Sequence, residues 1–401
     1  MVVDEKKLRR SNRIYALFSG LSMDLLFWAA INTIFLTNIK GFTAAQMNSL
    51  VSVGLIATIL LQPIAFRIIK KIGNISSIRL GVLLLFIGSL LLTFSNTYLL
   101  ILVGEVFYET AFLFKNMDNV ILRKNLKYEN RTDDFFKYQS KASMIYSITT
   151  MVIAFCSGFI YKINAYLPMI CCTIFCLINI ILSFFLYECD IEIEKEDKKE
   201  KIKFKFSSLI VLIFIMFGTA YAIIDAGQTN SKLIMQYNME NFVETGKIAI
   251  YLSFIIAISR MVRVISNIIF PKIIAKMKDK VLYLVNSLLA VAFGLIIVGN
   301  IMNNNMTGIV IVAIGFFIFL AVRDPLLNYT RTILLNNCDT RYHEKAITYL
   351  TLANKIGKFI ISTGISLLLL KVNIIYVVWF MLGIAIIDVL LTHKIYKIAK
   401  K

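Results

Sequence analysis

Five carboxylates within long apolar runs of this 401-residue chain are candidates for chemistry: Asp24, Glu105, Glu109, Asp225 and Asp388. A charge is costly in such a segment, and it is retained where it binds a proton, a cation or a substrate. Glu105 and Glu109 are four residues apart, so on a helix they share one face. Two close carboxylates cannot both ionise cheaply in a medium of low polarity. Such a pair can hold a proton or take a cationic substrate. The competing reading is structural, with the acid balanced by a cation such as Lys355 or Lys358.

Covalent catalysis is poorly supplied. The chain has only two histidines, His343 and His393, and its six cysteines fall mostly in apolar runs. Cys172 and Cys176 are one helical turn apart with no His or acid beside them, which reads as packing rather than metal ligation. No Gly-x-x-x-x-Gly-Lys-Ser/Thr phosphate loop occurs, so the chain carries no ATPase of its own. No enzyme activity, cofactor or metal is expected.

The elements that must position these acids are apolar blocks of bilayer-spanning length. Hydrophobic residues make up 58% of the chain and charged residues 17%. The mean hydropathy is +0.76. A soluble domain carries about a quarter charged residues. Twelve blocks can be read, at 14–37, 47–66, 78–95, 97–115, 141–161, 165–187, 207–228, 247–270, 281–300, 306–328, 345–370 and 373–393. Each is near the roughly 20 residues that cross a hydrocarbon core. Lipid offers backbone groups no partner, so blocks of this length must be helices. The first block is longer than the apolar core of a cleavable leader and is predicted to be a retained span. At about 1.5 Å per residue, Asp24 lies about 15 Å into span 1, near mid-membrane. Glu105 and Glu109 lie about 12–18 Å into span 4. Asp225 falls toward the outer end of span 7 and Asp388 toward the inner end of span 12.

Basic residues set the orientation. With a cytoplasmic N-terminus, 38 of the 43 Lys and Arg fall on inner segments. The remaining five are Lys40, Lys162, Lys232, Lys247 and Lys371. Retention of positive charge inside therefore predicts cytoplasmic termini for a multi-pass protein of the plasma membrane. The net charge of +19 reads as loops facing anionic headgroups. No basic and aromatic patch outside the spans suggests nucleic acid. The Arg260 and Arg263 pair near the inner end of span 8 reads as a surface anchor.

The one long charged run, residues 188–206, separates six spans from six and reads as a solvated linker. The halves are weakly alike. Phe66-Arg67-Ile68-Ile69-Lys70-Lys71 precedes span 3, and Phe270-Pro271-Lys272-Ile273-Ile274-Ala275-Lys276 precedes span 9, 204 residues later. Lys141-Ala142 and Lys345-Ala346 recur at the same offset. Two repeated six-helix bundles, 1–187 and 207–401, are a transporter architecture with a substrate site near the midplane.

On these features the chain resembles the major facilitator superfamily. Span count, central linker and basic 2–3 and 8–9 loops carry the resemblance across nearly the whole sequence. The family's 2–3 loop signature, Gly-x-x-x-Asp-Arg-x-Gly-Arg-Arg/Lys, is represented by Gln62-Pro63-Ile64-Ala65-Phe66-Arg67-Ile68-Ile69-Lys70-Lys71. Arg67, Lys70 and Lys71 match in kind, while Phe66 replaces the Asp. The stretch Gly104-Glu105-Val106-Phe107-Tyr108 is similar to a less characterised bacterial twelve-span group of these permeases, which has Gly-Glu there. That group usually has Gly where this chain has Glu109. The antiporter motif of span 5 is absent, because Ala154-Phe155-Cys156-Ser157-Gly158 lacks its Pro.

The resemblance implies an all-α fold of two pseudo-symmetric bundles, with spans 1, 4, 7 and 10 lining a cavity. The lining residues would be Asp24, Trp28 and Asn32 on span 1, Glu105, Tyr108 and Glu109 on span 4, and Tyr221, Asp225 and Gln228 on span 7. Phe316, Phe317 and Phe319 would follow on span 10. Arg67, Lys70, Lys71, Lys355 and Lys358 are candidates for an inner gate or a cation facing the cavity. Asp388, on a span that is peripheral in this fold, is read as structural. The function implied is secondary transport of a small solute by alternating access, proton-coupled, in a monomer. The acids and aromatics lean toward export of amphipathic or cationic compounds. Nutrient uptake and a transport-inactive sensor or partner protein are the alternatives.

The orientation predicts that a Lys195→Cys variant in a cysteine-free background resists an impermeant thiol reagent in intact cells. Labelling only after permeabilisation is the expected outcome, and efficient labelling from outside would reverse the topology.

Overall fold

Helix is the only answer this sequence has to its apolar blocks, and the described residues contain no strand. The computed structural model describes residues 4–131, 134–189, 207–277, 280–302, 305–338 and 343–399. The linker expected at 188–206 therefore lies outside the described residues from position 190 onward. Among the described residues nine helices are long and apolar enough to cross a membrane. They are α3 (Ala44–Ile72), α4 (Asn74–Phe94), α7 (Phe135–Ile163), α9 (Ser208–Glu240), α10 (Thr245–Met277), α11 (Val281–Ile301), α12 (Met306–Asn336), α13 (His343–Leu369) and α14 (Ile374–Ala399). α5 (Tyr98–Lys115) has the length but carries Glu105, Glu109 and Lys115. α8 (Leu167–Ser183) is a shorter apolar helix.

The first span differs from its sequence reading. It is not one continuous helix but α1 (Glu5–Leu21), a non-helical segment, then α2 (Trp28–Ile34) running into a π-turn at Phe35–Ile39. Asp4 caps α1 by accepting the Lys7 N–H at 3.1 Å, and that bond holds its carboxyl below the ordinary value. The interruption falls at Ser22 to Phe27, where Ser22 turns its hydroxyl back onto the Phe18 carbonyl at 2.7 Å. Serine and aspartate both offer the backbone such local alternatives to helix.

By internal contacts the chain divides into two compact units. One is Met1–Asn32 with Val53–Ile202, and the other is Thr33–Ser52 with Lys203–Lys401. In the first unit α4 packs on α5 and α8, and α1 packs on α7. Small residues permit the closest approach: a Cβ on Gly88 of α4 would stand 2.9 Å from the Gly104 carbonyl of α5. Close backbone approach through small residues is the usual basis of helix association in lipid. A short amphipathic helix, α6 (Asp118–Tyr128), follows α5. The buried Lys115–Asp118 pair, 3.0 Å apart, marks the corner between them. α6 also holds the chain leaving α8, since Asn125 donates to the Tyr187 carbonyl at 2.7 Å and Lys124 pairs with Glu188.

In the second unit α9 is the axis. It is 33 residues long and 67% of its most apolar window is buried, the largest share of the nine. A helix apolar on every side belongs at the centre of a bundle, and α10 to α14 all contact it. Residues Thr33–Ser52 belong to this unit through side-chain bonds. Gln236 of α9 donates to Thr37 at 2.7 Å, and Ser366 of α13 donates to the Ala45 carbonyl at 2.9 Å. Two helical proline positions differ in burial: Pro63 of α3 is exposed and Pro325 of α12 is buried. Pro325 has no N–H for the carbonyl four residues back. That carbonyl belongs to Ala321, and Ser266 of α10 donates to it instead.

α9 and α13 meet through glycines, because a Cβ on Gly357 would overlap the Gly218 carbonyl. Gly357→Val is therefore expected to cost about 2 kcal/mol through overpacking. A drop of several degrees in the melting temperature of the detergent-solubilised protein would register it, and an unchanged midpoint would contradict the packing.

Candidate functional site

The break in the first span serves the acid it contains. Asp24 sits in the non-helical segment between α1 and α2, where its Oδ1 accepts the Leu25 N–H at 2.7 Å. Tyr108 of α5 also donates to Oδ1, and Tyr146 of α7 donates to Oδ2 at 3.2 Å. Discontinuous helices are where transporters commonly place substrate and coupling-ion sites. Glu105 stands one turn before Glu109 on α5. Its side chain is only 4% exposed, and its Oε2 has no hydrogen-bond partner. Glu109 lies against Gly54 of α3, where a Cβ would come within 2.8 Å of the Glu109 Cγ. The Gly at this position is what lets α3 lie over the two glutamates. Both Glu109 and Asp24 are close enough to act on Glu105 electrostatically.

Among the described residues of the first unit, Asp24 and Glu105 form no ion pair. Of the two α13 lysines weighed as counter-charges, Lys358 has its partner in the second unit. Lys358 forms an ion pair with Asp225 of α9. Arg323 of α12 approaches the other Asp225 oxygen at 3.4 Å. Arg323 also donates to the Tyr221 hydroxyl at 2.9 Å. The Tyr221 ring faces both cations, with centroid distances of 5.4 Å to Arg323 and 5.0 Å to Lys358. Cations over an aromatic face are held by the ring quadrupole. Behind this group Arg263 of α10 makes two bonds to Asp324, at 2.7 and 2.8 Å, and Asn267 adds a third at 2.8 Å.

Several sequence readings need correction. Asp225 is not near the end of its span: α9 continues to Glu240, which leaves Asp225 near the middle. Lys232, counted with the outer segments, is a buried residue of α9. Arg263 is not a surface anchor but the partner of Asp324. Asp324, Arg323 and Tyr146 were passed over. The signal for the first two was available, because Arg323-Asp324-Pro325 interrupts an apolar block with both charges. Tyr146 carried no such signal, since tyrosines are frequent in membrane helices and only the fold brings this one to Asp24.

The remaining candidates take varied positions. Trp28 is buried, Asn32 is partly buried, and Gln228 holds a buried Nε2 without a partner. Phe319 is fully buried, its ring 4.8 Å from that of Phe293 and in contact with Gly227, so it fills the second unit's helix packing. Phe316 is likewise buried. Arg67, Lys70 and Lys71 are exposed at the C-terminal end of α3. Lys355 is partly buried one turn before Lys358. Among the described residues no group of three metal-ligating side chains occurs.

Removing the anion from the second cluster tests its balance. Asp225→Asn leaves Arg323 and Lys358 facing each other across Tyr221, at a cost of about 2 kcal/mol for a partly buried pair. Adding Lys358→Met should restore part of the loss. A double-mutant cycle on thermal stability checks this, and simple additivity of the two substitutions would dissociate the residues.

No curated protein is significantly similar to the chain in sequence. Among solved structures it is similar to the nucleoside transporter NupG, with 12% identity and a TM-score of 0.75 over 96% of this chain and 99% of that one. It is also similar to a bacterial homologue of the iron transporter ferroportin in an inward-facing state, with 13% identity, a TM-score of 0.70, and 98% and 99% of the chains covered. A bacterial homologue of the human lysosomal transporter Spinster aligns at 13% identity with a TM-score of 0.66, covering 98% of each chain. At such identities the likeness establishes the fold alone. The Major Facilitator Superfamily model matches residues 14–362, and with that match over most of its length the chain belongs to the Major Facilitator Superfamily of membrane transporters.

Proposed function

We propose that this secondary transporter is proton-coupled and that it exports amphipathic or cationic compounds across the plasma membrane, with both termini cytoplasmic. One observation carries the coupling: Glu105 is a buried acid with a bare oxygen and, among the described residues, no ion pair, set beside Asp24 and Glu109. A buried carboxylate without a counter-charge is stable only as the neutral acid or with a cationic ligand beside it. Asp225 differs, because two cations already balance it. The first unit therefore offers negative charge that can be exchanged, while the second holds its charge in fixed pairs.

The cycle follows from that contrast. A proton resides on the Glu105–Glu109 pair while their surroundings exclude water. When the acids become wet, ionisation is cheaper and the proton leaves. A cationic substrate competes for the same negative charge, so each displaces the other and their movements are linked. Asp24, held by two tyrosine hydroxyls, supplies the fixed charge at the helix break that a substrate cation or the proton would meet.

The test uses everted vesicles and an amphipathic fluorescent cation, ethidium. Glu105→Gln and Glu109→Gln keep size and hydrogen bonding while removing the titrating proton. Both are expected to abolish proton-driven accumulation of ethidium by at least tenfold. Counterflow exchange, which needs no net proton movement, should survive in at least one. If both variants accumulate ethidium as well as the parent from pH 6 to 8, the glutamates are structural.

A further inference from the structure

A second buried acid lies far along the chain from this cluster and belongs to no ion pair among the described residues. Asp388 of α14 is 0% exposed. Its Oδ1 is 2.6 Å from the Thr219 hydroxyl of α9, and its Oδ2 has no partner. One turn on, Thr392 donates to the Asp388 backbone carbonyl at 2.8 Å and accepts from Asn286 Nδ2 of α11 at 2.7 Å. Asn286 is also 0% exposed, and its Oδ1 is likewise bare. Two acceptor atoms on neighbouring helices are thus buried with nothing to accept.

The groups facing Asp388 can be named helix by helix. α9 presents Thr219, α11 presents Asn286, and α14 itself presents Thr392, none of them charged. α13 gives it no hydrogen bond or ion pair, and Lys358 of that helix is engaged by Asp225. His393 lies one turn and a half beyond on α14, but its Nδ1 is taken by the Tyr283 hydroxyl at 2.8 Å. An ionised Asp388 would be a buried anion without a cation, at a penalty of several kcal/mol.

The hydrogens decide what satisfies the group. The Thr219 hydroxyl has one hydrogen and three oxygens in reach: Asp388 Oδ1, the Ile215 carbonyl at 2.9 Å and the Met216 carbonyl at 3.1 Å. Threonine in an apolar helix commonly returns its hydrogen to such a carbonyl. The hydrogen between Thr219 and Asp388 must then come from the acid. A metal ion does not fit, since hard cations take about six or more oxygen ligands and only two oxygens are unengaged. A proton needs no cavity and one oxygen.

We propose that Asp388 is a proton-binding site of the second unit, holding its proton on the carboxyl oxygen that faces Thr219 and so joining α14 to α9. The site is independent of the Asp24, Glu105 and Glu109 group. α9 carries Tyr221 and Asp225 two and six residues beyond Thr219. Loss of the proton would place a buried anion against the helix that positions the Arg323 and Lys358 cluster.

Infrared spectroscopy of the purified protein at pH 7 reads the proton directly. The spectrum of the parent minus Asp388→Asn should contain a carboxylic-acid carbonyl band that shifts in deuterated buffer. The amide of Asp388→Asn can still donate to Thr219, so this variant should melt within about 3 °C of the parent. Thr219→Val leaves Asp388 in place and removes its acceptor, so the same band should move to higher frequency. A carboxylate band in place of the acid band in the first difference would overturn the proposal. So would a Thr219→Val band that does not move.

Discussion

In hydrocarbon a polar group has only the protein to satisfy it, and this single constraint organises the structure. It makes every long block a helix, because helix closes backbone bonds within one segment. Where helix fails, the fold supplies a substitute. Pro325 leaves the Ala321 carbonyl without its donor, and Ser266 of another helix provides one. Ser22 and Asp24 interrupt the first span, and their own side chains take up backbone groups at the break. The break then becomes useful, because it turns a carboxylate toward two tyrosine hydroxyls donated by α5 and α7.

The same constraint sorts the acids into three kinds. Asp225 and Asp324 are balanced by Lys358, Arg323 and Arg263, and their bonds fix α9, α10, α12 and α13 against one another. Asp24 and Glu105 have no ion pair among the described residues, and Asp24 is held by tyrosine hydroxyls instead. Asp388 is fully buried, and among the described residues a hydroxyl is its side-chain partner. Glycines make each arrangement possible at the backbone level. Gly54 admits Glu109, Gly104 brings α5 to α4, and Gly357 brings Lys358 within reach of Asp225. In each case a residue without chemistry of its own sets the distance at which chemistry occurs.

The candidate site was partly legible in the sequence, for a physical reason. Asp24, Glu105, Glu109 and Asp225 stand out because an acid in an apolar run is costly and calls for a partner or a role. Arg323 and Asp324 sat in such a run too. Arg323 reads as one of the inner-side cations and Asp324 does not stand out, since a charge near a block's end reads equally as a loop. Tyr146 and Asn286 could not be found at all. An uncharged polar residue on a membrane helix takes its meaning from what faces it, and facing is not written in one helix. Lys232 and Asp225 were misplaced for a simpler reason. Hydropathy falls at Thr229 to Lys232 while the helix does not, because burial against other helices rather than lipid carries α9 on to Glu240.

What the sequence determined by itself was the class of molecule: α-helical, polytopic, of this superfamily, with acids inside its apolar segments. Composition and block length suffice for that, because the bilayer imposes one length and one backbone solution on any chain that crosses it. The tertiary structure alone decided how charge is apportioned. Lys358 is 133 residues from Asp225 in the chain and Arg323 is 98 residues from it, and nothing local selects them over the other basic residues. Only the packing of α9, α12 and α13 at the Gly218–Gly357 contact brings those three side chains together. The packing also buries Glu105 with one carboxyl oxygen unbonded among the described residues.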